Sequence, residues 1–543
     1  MELKEIKNIL DDIEKDIEVI QDEKTASIQR TLLNLVEYLV AQNEKQQKEI
    51  QALKDEINHL KGEQGKPRFG GKKPNRDISS NKHRKHKKNK KPKKKAKTIK
   101  VDREMVCEVD KSELPNDALF KGFQEILVQD IVVKTDNINF KKEVYYSPSL
   151  KKVFVGKVPN GYEGKFGPGV KSHILNLSHD SLITQPAVKR LLETFGVYIS
   201  AGTISRMITD NIDEFHKEKK DVVAAGLEST TYQHIDDTGC KVNGKSYYTH
   251  ILCNALYTAY FTTPRKNRLT VLNILCQGNI RFHLNEETHN LMGALGLPDK
   301  YLDQIKIFGM RIYSKKELNK LIRQIFPNPK KNKRHKQLII EACAIAGMHN
   351  KKQNIETLIC DDAPQFKTLF DIALCWIHEG RHYKKLNPII RRHRKKLDGF
   401  LSRFWDYYEM LLDYKIAPTV FDAQKMDAEF DSLFSSKTGY QQLDDRIGSS
   451  LENKHSLLLV LKYPELPLHN NPAELGARAQ KRKGDVSLQT KNVKGTNAKD
   501  TFMTIIQTAR KLGVNTYDYI FDRITKKFEM PSLAEVITQQ AAI

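Results

Sequence analysis

The segments TTYQHID (230–236), KSYYTHILC (245–253) and ALYTAYFTT (255–263) follow one another as three runs rich in β-branched and aromatic residues. Turn residues separate them: GCKVNG (239–244) lies between the first two runs, and Asn254 lies between the second and the third. Runs of this length with turn residues between them predict three consecutive strands, which we take to be antiparallel.

The elements predicted after these strands complete a recognisable order. A helix is predicted near 268–276, ETLIC (356–360) is predicted as a buried strand, and ALCWIH (373–378) as a further strand. A long helical region at about 381–460 follows, and LHNNPAELGARAQKR (468–482) opens a late helix. This is the element order of the RNase H-like fold. We therefore expect an α/β protein with an RNase H-like core, a mixed sheet flanked by helices.

Acidic residues fall at matching places in this pattern. Asp236 and Asp237 end the first predicted strand, Asp361 and Asp362 follow the fourth, and Glu474 lies near the start of the late helix. In the RNase H-like fold these three places meet at one edge of the sheet. Mg²⁺ prefers carboxylate oxygens, and two ions about 4 Å apart activate the attacking oxygen and stabilise the leaving oxygen of a phosphodiester. Each acid alone also fits a turn residue or a helix-start acid, so the prediction depends on the ordered set.

Positive charge is concentrated in one stretch. The 543-residue chain has a formal net charge of +24, and residues 66–100 contain 17 Lys and Arg against one acidic residue. Such a stretch cannot form a packed core, and residues 63–100 are predicted to be a disordered arm that neutralises nucleic-acid phosphates. A solvated linker is the alternative; an anionic membrane is a weaker candidate, because no apolar anchor adjoins the run. The DNA-contacting lysines predicted here are Lys85, Lys87, Lys88, Lys93 and Lys94.

The cysteines and the N-terminus indicate the compartment. The seven cysteines are scattered without a CxxC pair, which argues against a disulfide framework and a zinc ribbon. The N-terminus is charged and helical, unlike a signal peptide, and no segment approaches the apolar length of a membrane span. We expect a reduced, cytosolic protein; in a eukaryotic host, the basic run could also serve as a nuclear address.

Residues 1–62 have the pattern of a coiled coil. Apolar residues alternate steps of three and four, with a phase break near residues 24–27. After the break, the a positions are Val36, Asn43, Ile50 and Ile57, and the d positions are Leu39, Leu53 and Leu60. β-branched a residues with Leu at d favour a parallel two-stranded coil, in which Asn43 would fix the register. A homodimer is therefore expected; the alternative is an amphipathic helix folded back on its own domain.

A helix-turn-helix is predicted at 179–225, after a small β-rich subdomain at 101–178. Gly196 lies in the predicted turn, and Ser200 is a suitable N-cap for the second helix. Thr203, Ser205 and Arg206 would then lie near the start of a recognition helix, where helix-turn-helix proteins contact DNA.

The ordered motifs resemble those of the transposases of insertion sequence family 66. HIDDTG (234–239) is similar to that family's first-acid motif, CDDAPQF (360–366) to the segment with its second Asp, and LHNNPAELGAR (468–478) to its Asp-Asn-Asn-x-x-Glu-x-x-x-Arg motif. TTPRKNR (262–268) and CWIHEGRHY (375–383) resemble the segment after the third strand and a Cys-Trp-x-His-x-x-Arg motif.

The resemblance covers roughly residues 180–525 and implies a DDE transposase with two Mg²⁺ or Mn²⁺ ions. It implies that water first releases a 3′-hydroxyl, which then attacks target DNA. The implied catalytic domain is 226–525, with insertions at about 279–350 and 381–460 and a tail at 526–543. The implied catalytic and metal-binding residues are Asp236, Asp361 and Glu474. The candidates for supporting roles are Asp237, His378, Arg381, Asn471 and Arg478. The implied partners are the element ends and target DNA, together with small accessory proteins.

The chain departs from the family pattern in three places. Only Cys107 lies where many members carry a zinc-binding segment, so zinc is not expected. His469 replaces the commoner Asp, and the insertion at 279–350 lengthens the spacing between the first two acids. Two other classes of protein stay open: a catalytically silent DNA-binding protein derived from a transposase, and a coiled-coil protein that coats nucleic acid.

Overall fold

The computed structural model describes residues 3–20, 22–60, 101–110, 118–131, 133–328, 330–350, 354–367 and 371–542. The basic arm predicted at 63–100, with its five lysines, lies entirely outside the described residues. The chain divides into two compact units, Phe69–Ile138 and the remainder. In the smaller unit, the described residues 101–110, 118–131 and 133–138 form no helix or strand, and nearly all of their side chains are exposed.

The larger unit contains the strands and helices of the described residues. The strands are β1 (Val144–Ser147), β2 (Lys152–Val155), β3 (Tyr232–Val242), β4 (Lys245–Cys253), β5 (Thr258–Thr263), β6 (Phe282–Leu284), β7 (Arg311–Tyr313), β8 (Thr357–Cys360) and β9 (Asp371–Leu374). The helices up to the eighth strand are α1 (Leu3–Val19), α2 (Glu23–Leu60), α3 (Pro168–His179), α4 (Gln185–Thr194), α5 (Ala201–Thr209), α6 (Asp213–Glu228), α7 (Arg268–Leu275), α8 (Glu286–Ala294), α9 (Asp299–Lys306), α10 (Lys315–Ile325) and α11 (Lys333–His349). The later helices are α12 (Trp376–Lys385), α13 (Arg391–Ile416), α14 (Val420–Phe434), α15 (Gln441–Glu452), α16 (Lys454–Leu457), α17 (Leu459–Lys462), α18 (Asn471–Ser487), α19 (Val493–Lys511), α20 (Thr516–Thr525) and α21 (Leu533–Ala541).

The main sheet has five strands in the order β5-β4-β3-β8-β9. The pairs β3–β4 and β4–β5 are antiparallel, whereas β3–β8 and β8–β9 are parallel. Asn243 and Gly244 form the two-residue turn between β3 and β4, with φ of 48° and 76°. Two consecutive positive φ values are the geometry of a type I′ hairpin turn, which an Asn-Gly pair favours. The fold class is thus α/β, with a mixed sheet flanked by helices.

Helix α19 covers the edge strand β5. Its Asp500, Thr504 and Thr508 are four residues apart and therefore share one helix face. The side chains of these three residues accept hydrogen bonds from the backbone N–H groups of Thr262, Tyr260 and Thr258, at 2.6, 3.1 and 3.2 Å respectively. These bonds satisfy the donors that an edge strand would otherwise leave open to pairing with another chain.

Two of the predicted strands end at different residues in the structure. β3 does not end at Asp236 and Asp237 but continues to Val242, because the Asn243-Gly244 turn extends the hairpin with β4. The strand predicted at 373–378 ends at Leu374, because the Sγ atom of Cys375 accepts the backbone N–H of His378 and begins helix α12.

Two predictions for the N-terminal part of the chain differ from the structure. Within the region predicted as β-rich (101–178), only β1 and β2 are strands; residues from Pro168 form helix α3, which Pro initiates well because its fixed φ suits the first turn. The phase break predicted at residues 24–27 lies earlier. The carboxylate of Asp22 accepts the N–H of Thr25 and begins α2 before that stretch.

The helices α1 and α2 pack on each other and on the start of α13. Leu10, Ile17 and Leu33 form a small apolar cluster with Ile389 and Ile390. Glu37 of α2, only 1% exposed, accepts hydrogen bonds from the backbone N–H groups of Ile389 and Ile390 (2.6 and 3.0 Å) and is paired with the ring of His393 (2.6 Å). One face of the predicted coiled-coil helix therefore packs on its own chain.

Two insertions extend the sheet-based core. The first contains a two-stranded antiparallel sheet of β6 and β7, which the sequence did not predict, together with α8–α11. The second contains α12–α17 and has its own aromatic core, which includes Trp376, Phe400, Phe404, Phe430 and Phe434. Among the described residues, no helix combines the length and the apolarity that crossing a membrane would require.

Candidate active site

Asp236 and Asp361 lie on neighbouring parallel strands at the same level of the sheet. The pairing of β3 with β8 ends at His234↔Ile359. Continuing this register by two residues brings Asp236 opposite Asp361, which is the first residue after β8. The parallel pairing therefore brings together two acids that are far apart in the sequence.

Burial and neighbouring charge change the titration of both carboxyl groups. Burial, together with the negative charges of Asp361, Asp237 and Glu474, raises the pKa of Asp236 to about 7, against the opposing effect of the N–H that Asp237 donates to it. Burial also raises the pKa of Asp361, which the nearby His378 partly offsets. The charged forms disfavour one another, and this is the electrostatic situation that a bound cation relieves.

The second acid of each Asp-Asp pair has a lysine partner. Lys266 is 3.1 Å from one carboxylate oxygen of Asp237, and Gln365 donates to the other at 2.9 Å. Asp362 is likewise 2.8 Å from Lys367. Within the described residues, Asp236 and Asp361 have no such cation, and Oδ1 of Asp361 is buried without a hydrogen-bond partner. The first acid of each pair is therefore the one that remains available for a ligand.

Glu474 lies in the first turn of α18 and is held by arginine. Arg381 donates to both of its carboxylate oxygens, at 2.7 and 2.9 Å, and both side chains are mostly buried. Arg478, one turn further along α18, lies 3.6 Å from the same carboxylate and is more exposed. The sequence-predicted residues Arg381 and Arg478 thus both contact the third acid.

Asn470 fixes the start of α18 against β3. Its side-chain amide donates to the carbonyl oxygen of Ile235 at 2.8 Å and bonds the ring of His234 at 3.0 Å. The sequence analysis named Asn471 as a supporting residue; Asn471 is the first residue of α18, and Asn470 precedes it as the N-cap. The sequence feature that could have indicated a supporting role for Asn470 is its position directly before the helix that carries Glu474.

Cys375 joins the α12 and α18 helix starts. Its Sγ atom accepts the backbone N–H groups of His378 (3.4 Å) and Asn470 (3.2 Å), and burial raises its pKa to about 11. Trp376 is fully buried and donates from its indole N–H to the carbonyl oxygen of Leu457, so it packs in the core of the helical insertion. His378 is near enough to Asp361 to influence its titration.

Arg268 was missed by the sequence analysis and connects three parts of the protein. It begins α7 and donates to Glu341 of α11 at 2.7 Å. It also donates to the carbonyl oxygens of Pro364 and Lys367, both at 3.1 Å, in the loop that follows Asp361. Arg268 and Lys266 are both basic residues of the TTPRKNR segment, and that segment was the only sequence signal for them.

The helix-turn-helix elements form as predicted. α4 and α5 are joined by a turn in which Gly196 has φ 81°, and the hydroxyl of Ser200 accepts the N–H of Thr203 at 3.1 Å. The hydroxyl of Thr203 also accepts from the exposed Arg206 at 3.1 Å, and Ser205 is partly buried.

The acids suit divalent cations, although they are not arranged around one. Among the described residues, no three His, Cys, Asp or Glu side chains converge closely enough to enclose a metal ion. Arg381 instead contacts both oxygens of Glu474. The donor set is nevertheless entirely carboxylate, as Mg²⁺ and Mn²⁺ prefer, and the buried Oδ1 atom of Asp361, which has no hydrogen-bond partner among the described residues, is a suitable ligand.

Comparison with known proteins gives a relative without an assigned activity. No family model matches the chain. The chain is 27% identical over 317 residues to the "Uncharacterized protein y4jO" of Sinorhizobium fredii (strain NBRC 101917 / NGR234), a match that spans 55% of this chain and 94% of that protein. The function is therefore argued from the site.

Proposed function

We propose that the chain is a DNA transposase of an insertion sequence, with an RNase H-like catalytic domain of the DDE type. One observation carries the proposal: two acids without counter-cations lie at the same level of adjacent parallel strands, and the first turn of α18 brings a third acid near them. The strand order β5-β4-β3-β8-β9, with three antiparallel strands followed by two parallel ones, supports the RNase H-like assignment.

The proposed metal ligands are Asp236, Asp361 and Glu474, with two Mg²⁺ or Mn²⁺ ions. Bound there, the ions would supply the activation of the attacking oxygen and the stabilisation of the leaving oxygen in phosphodiester chemistry. The remaining contacts of the site belong to the chain itself. Asn470 and Cys375 orient α18 and α12, and Lys266 holds Asp237. An arginine beside the acids can bind a phosphate oxygen of the substrate, because its guanidinium group matches phosphate geometry.

The proposed partners are the ends of the element, target DNA and a second copy of the chain. In α2, the residues that pack on the chain itself, Leu33 and Glu37, lie outside the a and d positions of the heptad. The a and d residues Leu39, Ile50 and Leu53 are 56%, 44% and 53% exposed. A parallel coiled coil with a second copy would bury them. We further propose that small accessory proteins of the same element assist, and that the protein acts in the bacterial cytoplasm on nucleoid DNA.

The main alternative is a catalytically silent DNA-binding protein. It is favoured by the contact of Arg381 with both oxygens of Glu474, which neutralises the third acid within the chain. The two proposals differ in what neutralising Glu474 would do. An enzyme would lose DNA strand cleavage, whereas the DNA binding of a catalytically silent protein would be unchanged.

The test is Mg²⁺- or Mn²⁺-dependent cleavage of a plasmid that carries the DNA flanking this gene. Wild type is compared with Glu474→Gln and with Glu452→Gln, a matched change at an exposed glutamate of α15. We expect the wild type and Glu452→Gln to cut at defined ends and Glu474→Gln to lose cutting while binding DNA normally. Equal cutting by Glu474→Gln would reject Glu474 as a ligand. Absence of cutting by all three, in the presence of accessory proteins and with DNA binding intact, would favour the silent protein.

A further inference from the structure

The first insertion carries a dense basic surface at the start of α11. From residue 299 to residue 336 the chain contains twelve Lys and Arg against three acidic residues. Four of the basic residues are adjacent and exposed, and we call them the α11 cluster: Lys330, Lys331, Lys333 and Arg334. In the part of the chain that the structure describes, none of the four is paired with a carboxylate. The cluster is thus a concentrated positive charge that the protein leaves without a counter-charge.

The start of α13 is a comparable basic stretch, most of whose residues have acidic partners within the chain. Its first six residues, RRHRKK (391–396), are also basic. Acidic residues of α1 and α2 are paired with four of these six residues. The pairs are Arg391–Asp11, Arg392–Glu14, His393–Glu37 and Lys396–Glu14. The chain therefore supplies its own acids to one basic helix start but not to the other.

Helix electrostatics make the α11 cluster unfavourable in isolation. The N-terminus of a helix carries a partial positive charge from its open N–H groups, so cations there are destabilising and anions are stabilising. Lys333 and Arg334 are the first two residues of α11, and the N-cap Asn332 makes no side-chain bond to the first turn. An external anion would relieve both the repulsion among the side chains and the unfavourable helix charge.

The helix that carries the α11 cluster is bonded, through Arg268, to the loop that follows Asp361. Glu341, in the middle of α11, is bonded to Arg268, which also bonds the loop that follows Asp361. Lys333 precedes Glu341 by eight residues, which corresponds to about 12 Å along the helix axis.

We propose that the α11 cluster binds the DNA backbone, so that the insertion is a third DNA-binding surface besides the helix-turn-helix and the arm. This inference rests on the proposed function, because it takes DNA as the substrate. The contact is to phosphates and carries no base preference, since lysines on a loop and helix start act as point charges toward the backbone. Arg268 and Glu341 join this surface to the catalytic loop.

The test measures the salt dependence of DNA binding by the full-length chain. A fluorescein-labelled duplex of arbitrary sequence is titrated with protein at several salt concentrations, and the slope of log K against log salt is determined. The test variant replaces Lys330, Lys331 and Lys333 with Gln. The control variant makes the same charge change at three exposed residues of the second insertion, namely Arg403, Lys425 and Lys437. The arm is identical in all three proteins, so its contribution cancels in the comparison.

Each phosphate contact contributes about 0.9 to the slope. We expect the slope of the test variant to be smaller than that of the wild type by about 2 to 3, and the slope of the control variant to be unchanged. DNA should also slow amide hydrogen exchange in peptides that cover residues 326–340 of the wild type. Equal slopes for the wild type and the test variant, or equal losses in the test and control variants, would overturn the inference while leaving the proposed function intact. No binding of DNA by the wild type would instead overturn the proposed function and this inference with it.

Discussion

Replacing Asp236 by Asn should stabilise the metal-free protein in a pH-dependent way. The carboxyl group of Asp236 is largely buried beside three other acids, and its pKa is raised to about 7 from an ordinary value of 3.8. Because the folded-state pKa exceeds the unfolded one, the folded protein binds this proton more tightly. Protonation of Asp236 therefore contributes to the free energy of unfolding. This contribution is complete below about pH 4 and is lost as the pH rises through 7.

The size of the effect follows from the difference in pKa. Each unit of pKa corresponds to about 1.4 kcal/mol, so a difference of about three units amounts to roughly 4 kcal/mol at pH 8. The largely buried side chain retains some contact with solvent, which screens its charge, so we expect about half of this value, roughly 2 kcal/mol. A change of this size raises the melting temperature of a domain of 150–250 residues by about 4–8 °C.

The assay is thermal unfolding in the presence of a chelator between pH 4.5 and pH 8. We expect Asp236→Asn to melt at a higher temperature than the wild type at pH 8 and at nearly the same temperature at pH 4.5. The matched control is Asp237→Asn, which leaves Lys266 without its carboxylate partner and should lower the melting temperature at pH 8. Adding Mn²⁺ should then raise the melting temperature of the wild type by more than that of Asp236→Asn, since a ligand that binds the folded state stabilises it.

One result would refute this reasoning directly. If the melting curves of the wild type and Asp236→Asn stayed parallel over the whole pH range, burial and the neighbouring acids would not raise the pKa of Asp236 in the folded protein. The explanation of the site as a group of buried, mutually repelling acids would then be wrong.

Three further predictions concern the contacts around the acids and the first insertion. Arg381→Gln removes the cation that competes with a metal ion for Glu474. We expect the Mn²⁺ affinity measured by calorimetry to increase about tenfold, which corresponds to about 1.4 kcal/mol of binding free energy. Unchanged or weaker Mn²⁺ binding would contradict this prediction. Asn470→Ala breaks the buried bond to Ile235 and should cost about 2 kcal/mol and reduce DNA cleavage, so an unchanged melting temperature would speak against its positioning role. Gly347→Ala would bring a Cβ atom to 1.9 Å from the carbonyl oxygen of Arg281 and should destabilise the protein by at least about 2 kcal/mol. Gly484→Ala, with nothing within 4 Å, should be neutral or stabilising by up to about 1 kcal/mol, and equal effects of the two glycine substitutions would contradict the packing argument.

The features that depend on neighbouring residues were predictable from the sequence. The three β-rich runs correspond to β3, β4 and β5, and the Asn243-Gly244 pair forms the turn between the first two. Ser200 caps α5 as its residue type and position indicated. The ends of two strands were predicted wrongly. Asp236 lies within β3 rather than at its end, and the chain predicted as a strand at 373–378 forms helix α12 after Leu374. A strand end is set by the partner strand or by a capping bond, which residue composition alone does not reveal.

The contacts of the site depend on residues that are distant in the sequence. Motif order indicated Asp236, Asp361 and Glu474 as one set, but it did not reveal that Arg381 holds Glu474 or that Asn470 bonds Ile235 across 235 residues. It also did not reveal that Lys266 neutralises Asp237 while leaving Asp236 without a cation. Periodicity and turn residues determined the elements, because side-chain direction along a strand or helix repeats every two or 3.6 residues. Only the tertiary structure decided these contacts, because they form when separate elements pack together. The free energy gained by packing the whole core offsets the entropy lost in closing the intervening loops.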